Sequence, residues 1–121
     1  MDFLIGSNLI NIFTISDEIC DGYDSIVLLF NNGYLRINID ANNDELHFTY
    51  SKDSSIYIPS TTQVSIINNF CFLNKKLVCY WICKNNLGYV DLFSVGLDEF
   101  APSLMFVALG SVIKIKTTIL A

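Results

Sequence analysis

The chain has 121 residues, the length of one domain, and 52% of them are hydrophobic against 16% charged. That much apolar surface offsets the entropy of ordering the chain and excludes a disordered protein. Seven basic against twelve acidic side chains leave a net charge of −5, the wrong sign for a phosphate-backbone footprint, so no nucleic acid is expected as a partner. The acids are unevenly spread: residues 1–50 hold eight of them against Arg36 alone. An acidic half steers a basic partner toward it, and it serves equally well as a solvated face that keeps the chain in solution.

In chain order, Phe3-Leu4-Ile5 is too short for the apolar core of a signal peptide and lacks its basic start. Leu9–Phe13 reads as a first strand, followed by the acidic loop from Asp17 to Asp24. Ile26–Phe30 is a continuous apolar run, as expected of a central strand covered on both faces. Asn31-Asn32-Gly33 then turns the chain, Asn-Gly being suited to the positive φ of a tight hairpin. Leu35, Ile37 and Ile39 alternate with Tyr34, Arg36, Asn38 and Asp40, the period of a half-buried strand. Asn42-Asn43-Asp44 makes the next turn, into Leu46, Phe48 and Tyr50 alternating with Glu45, His47 and Thr49.

After a polar stretch at Lys52–Tyr57, apolar positions 63/64, 67 and 70 suit a short helix with Ser60 or Thr61 as N-cap, although β-branched content opposes it. Leu77–Trp81 and the chain beyond Asp91 read as strands. Leu104–Leu109 is a second continuous apolar run that stops at Gly110-Ser111, far short of the ~20 residues of a membrane helix. Ile113 and Ile115 alternate with Val112, Lys114 and Lys116. A weak repeat relates Leu9–Phe13 and Gly22-Tyr23-Asp24 to Leu77–Trp81 and Gly88–Asp91. The expected architecture is a single domain, residues 1–121, mainly β, with six to eight antiparallel strands in a strongly curved sheet or a sandwich, and room for one short helix near residues 60–70.

No arrangement for catalysis emerges. The single histidine, His47, sits on a solvent face between Glu45 and Thr49, with no nucleophile predicted beside it. Cys79 and Cys83 share one strand face with Trp81 between them, but the paired knuckles of a zinc site are absent, so they are expected to be small core hydrophobes. With Cys20 and Cys71 they form no compact disulfide framework, and reduced cysteines in a cytoplasmic protein are expected. Asp40-Ala41-Asn42-Asn43-Asp44 mimics the opening of a calcium loop, but Glu45 stands where glycine is needed and Ser51 where the bidentate glutamate belongs. Neither an enzyme, a metal nor a cofactor is expected. Protein contact remains, with Asp17, Glu18, Asp21, Tyr23, Asp24, Asp40, Asp44 and Glu45 as the partner-binding candidates, since tyrosine beside carboxylates suits an interface.

Asn74–Asp91, with Trp81, Asn85, Gly88, Tyr89 and Asp91 in a W-x3-N-x2-G-Y-x-D pattern, resembles a motif of small uncharacterised bacterial proteins. Those carry a glycine where Asn74 stands here, and the resemblance implies a fold without an assigned activity. In general character the chain is also similar to the immunity proteins of bacterial contact-dependent growth inhibition and related toxin systems: small, acidic, cytosolic and without a catalytic motif. That similarity implies a protein that binds and neutralises a cognate toxin, a basic nuclease domain, by occluding its active site. The alternative is a small-molecule or structural module using a pocket around Trp81 and Tyr89.

Overall fold

A computed structural model describes residues 1–16, 22–53, 63–66 and 72–117. A 3-10 turn at Asp2–Leu4 leads into β1 (Leu9–Ser16), β2 (Ser25–Phe30), β3 (Gly33–Asp40), β4 (Glu45–Ser51), β5 (Gln63–Ile66), β6 (Leu77–Lys84), β7 (Val90–Leu97), β8 (Leu104–Leu109) and β9 (Val112–Thr117). Every described strand pair is antiparallel, in a five-stranded sheet of order β4-β3-β2-β1-β5 and a four-stranded sheet of order β6-β7-β8-β9. The mainly β expectation holds, with eight strands of six to eight residues and the four-residue β5 added at an edge.

The short helix expected near residues 60–70 is not what Gln63–Ile66 form: they pair with Phe13–Ser16 as an antiparallel edge strand. Val64 and Ile66 are β-branched, stiff at χ1 and better suited to a pleated ladder than to a helical turn. Residues 60–62 and 67–70 lie outside the described set.

The two sheets pack face to face because each alternates. Ile12, Ile26, Leu28, Leu35 and Ile37 of the first sheet share one buried cluster with Phe93, Val95, Leu104, Phe106 and Ile113 of the second. Phe93 is the hub, with ring centroids 5.0 Å from Phe48, 6.1 Å from Tyr80 and 6.0 Å from Phe106. β2 is buried on both faces, Val27 as well as Ile26 and Leu28, as its continuous apolar run predicts. β8 carries a similar run but a different burial: Leu104, Phe106 and Ala108 point inward, while Met105 and Val107 are half-buried and Leu109 is exposed.

Four ties hold the sheets in register, two at each end. At one end Asn8 bridges to Lys76, flanked by Gly6 N–H donating to the Leu77 carbonyl at 2.8 Å. There the Tyr80 hydroxyl also donates to Asp2, so the N-terminal turn spans the gap between β4 and β6. At the other end Tyr23 bridges to Ile113. Beside that bridge the β3–β4 turn is clamped to the β8–β9 turn: Ser111 N–H donates to Asp44 at 2.7 Å and Ser111 Oγ to the Ala41 carbonyl at 3.0 Å. No helix among the described residues is long and apolar enough to cross a membrane.

Candidate functional site: an acidic pole

Antiparallel registry decides where the candidate acids go. β1 ends at Ser16 and β2 begins at Ser25, opposite Asn38 near the end of β3. β3 then ends at Asp40, directly opposite Glu45 at the start of β4. Asp24 is tied into the same end, its N–H donating to the Ile15 carbonyl at 2.9 Å and its carbonyl accepting from Ile39 N–H at 3.2 Å. The Ser111 clamp adds Asp44 and the start of β9, and sheet register places the β6–β7 turn, with Lys84 and Asp91, at the corresponding end of the second sheet.

Five of the eight candidate residues therefore lie at one pole: Tyr23, Asp24, Asp40, Asp44 and Glu45. Asp17, Glu18 and Asp21 fall outside the described residues, in a segment whose flanking residues, Ser16 and Gly22, belong to this pole. Counting described side chains, the pole carries Asp24, Asp40, Asp44, Glu45 and Asp91 against Lys84, Lys114 and Arg36, whose Nε donates to Ser25 Oγ at 2.9 Å. The opposite end balances Asp2, Asp53, Asp98 and Glu99 against Lys52, Lys75, Lys76 and Lys116. Negative charge is thus segregated along the strand direction, which net charge alone does not reveal.

The acids do not all have the same freedom. Asp44 is spent on the Ser111 N–H, and its own backbone sits at φ 50°. Asp40 accepts from Asn42 N–H at 3.1 Å, closing its turn. These internal donors explain why the calcium-loop resemblance of residues 40–44 leads to a turn, since carboxylates aimed at protein N–H groups do not form a cage. Glu45 lies 3.0 Å from His47 Nε2, and the ligand atoms of Asp40, Glu45 and His47 all fall within 4.8 Å of one another. That triad is what the described residues offer a cation; His47 is 59% exposed, so the group is a hydrated rim rather than an enclosed site. Tyr23 packs against the core and bonds through its backbone to Ile113, so it supports the pole from beneath.

The cysteine expectation needs correction. Cys83 is exposed and Cys79 half-buried, because both point away from the core: Cys79 pairs with Gly96, Cys83 with Leu92, and the inward face of β7 is the one that carries Phe93 and Val95. Their shared face with Trp81 is as expected; that it is the outer face was not legible from β6, whose two faces are both apolar. Cys20 and Cys71 lie outside the described residues. His47 has the solvent position expected of it.

A family described as "Family of unknown function (DUF6334)" matches residues 1–119, and the chain belongs to it. No curated protein and no solved structure matches.

Proposed function

We propose that this member of the DUF6334 family is a cytoplasmic immunity protein that binds a cognate bacterial toxin domain, a basic nuclease, and occludes its active site without catalysing a reaction. The observation that supports this reading is the charge separation: Asp24, Asp40, Asp44 and Glu45 share one pole, and the segment bearing Asp17, Glu18 and Asp21 joins it at both ends. A nuclease must present cationic side chains to hold phosphates, and a pole of carboxylates is complementary to that cleft. Such a field accelerates encounter and fixes orientation, while Asp40 and Glu45, on a hydrogen-bonded ladder, need little ordering when they dock.

The test is co-purification with the C-terminal domain of the polypeptide encoded immediately upstream, at low and high salt. A stoichiometric complex that associates faster at low salt and suppresses nuclease activity is the expected result. Absence of a complex at either salt overturns the reading. So does a complex whose association is unchanged when Asp17, Glu18, Asp21 and Asp24 are replaced by lysine.

A further inference from the structure

Sheet register brings two like charges face to face at the acidic pole. Asp40, the last residue of β3, lies directly opposite Glu45, the first of β4, and carboxylates so paired across a ladder repel. Among the described residues neither forms an ion pair with a lysine or arginine; the pairing there is Glu45 with His47, at 3.0 Å. His47 stands two residues beyond Glu45, so the period of the strand puts all three side chains on the outward face, while Leu46, between Glu45 and His47, turns into the core. Asp40 spends Oδ1 on Asn42 N–H at 3.1 Å, and its Oδ2 has a longer contact, 3.4 Å from Asn43 Nδ2. One nitrogen and two carboxylate groups thus offer ligand atoms within 4.8 Å of one another.

We propose that Asp40, Glu45 and His47 bind a divalent transition cation of the zinc class. The imidazole decides the class. Calcium and magnesium are held by oxygen ligands, whereas a neutral ring nitrogen beside carboxylates suits zinc and its neighbours. Three protein donors leave a fourth, tetrahedral position to water, and His47, 59% exposed, keeps that side open. At metal–ligand distances of about 2.0–2.2 Å, tetrahedral ligand atoms stand roughly 3.4 Å apart. Glu45 and His47 already approach that closely, and Asp40 closes the rest by turning about its own side-chain bonds, since the ladder fixes both backbones. A dication between the carboxylates also turns their mutual repulsion into a shared attraction.

The same pole supplies a control. Asp44 adjoins Glu45 in sequence but holds Ser111 N–H at 2.7 Å, so it belongs to the acidic field without belonging to the site. A cation held by coordination depends on Asp40 and Glu45 and ignores Asp44; a cation held by the field depends on all three alike. With water on one side the site exchanges its ion readily, and binding falls in the micromolar range, short of an enclosed structural centre. The proposal does not depend on the toxin reading, and the two fail separately.

The chain has one histidine, so its imidazole proton resonances in an NMR titration with Zn²⁺ alone are those of His47. The expected result is a saturable shift of these signals at micromolar zinc, with Ca²⁺ leaving them in place. Loss of an outer-shell partner typically weakens a metal site 10–100-fold, so Asp40→Asn and Glu45→Gln, which remove ligands outright, should each weaken binding at least about tenfold. Asp44→Asn, the same change in charge at the same pole, should leave it unchanged. If Asp40→Asn loses its folded circular dichroism spectrum, Glu45→Gln decides alone against Asp44→Asn. Ring signals that do not move overturn the proposal, even if the cysteines take up zinc elsewhere. A shift that survives both carboxylate substitutions overturns it too, as the binding of a lone imidazole, and so does equal weakening by all three variants, as attraction by the field.

Discussion

The Tyr80–Asp2 hydrogen bond couples the N-terminal turn to β6 and makes that junction sensitive to alkali. Accepting the phenol's proton-bearing form holds the Tyr80 pKa above its ordinary value, first through this hydrogen bond, then through burial, and then through the nearby Asp2 charge. A raised pKa in the folded state means the contribution is complete below the unfolded phenol's value near 10 and disappears as pH rises through the folded value. Tyr80→Phe should therefore be less stable than the native chain at pH 7, with urea midpoints that converge above pH 10; a constant difference would show that the phenol proton is not what the contact uses. At the other pole Asp44 combines a turn position at φ 50° with the bond to Ser111 N–H. Asp44→Ala loses the acceptor and keeps the unfavourable backbone, an expected cost of about 1–2 kcal/mol in chemical denaturation. Asp44→Asn, which tolerates that backbone and keeps an oxygen, should recover most of it.

Glycine 33 shows how a turn and a neighbouring element are specified together. It begins β3 opposite Phe30, and an added Cβ would lie 2.3 Å from the Ser51 carbonyl oxygen and 2.9 Å from the Phe3 ring. Backbone cannot yield as a flexible side chain does, so Gly33→Ala should separate β3 from β4 locally and cost about 1–3 kcal/mol, read as a lowered Tm with accelerated amide exchange in Tyr50 and Ser51. The β2–β3–β4 meander was legible because Asn-Gly and Asn-Asn-Asp turns punctuate clean alternation. The pairing of β1 with β5 was not, since a four-residue edge strand carries less periodic signal than a helical reading of the same apolar positions. Nor did a run such as Leu104–Leu109 reveal that only one of its faces is covered: apolar composition reports what a strand can bury, and packing decides what it does. Phe93 is the clearest product of that packing, fully buried among three rings from β4, β6 and β8. Its replacement by alanine should cost about 3–5 kcal/mol, a large share of the roughly 5–15 kcal/mol that holds a typical domain.

For the whole molecule, what matters electrostatically is distribution rather than total. The sequence shows an acid-rich first half, but only strand registry brings Asp24, Asp40, Asp44 and Glu45 from two connections to one end, and only the opposite end's balance of Asp2, Asp53, Asp98 and Glu99 with four lysines makes the acidic end a pole. Two variants with the same change in net charge separate the possibilities. Asp40→Asn with Glu45→Gln removes two charges at the pole, and Ile5→Lys with Ile10→Lys adds two at half-exposed positions toward the balanced end. Both change −5 to −3. If a basic partner is guided by local complementarity, the first pair should slow association several-fold at low salt and lose most of that effect at high salt, because screening acts within about 8–10 Å at physiological ionic strength. The second pair should leave association close to native. Equal slowing by both would mean that the partner responds to net charge alone, and the pole would then have no directing role.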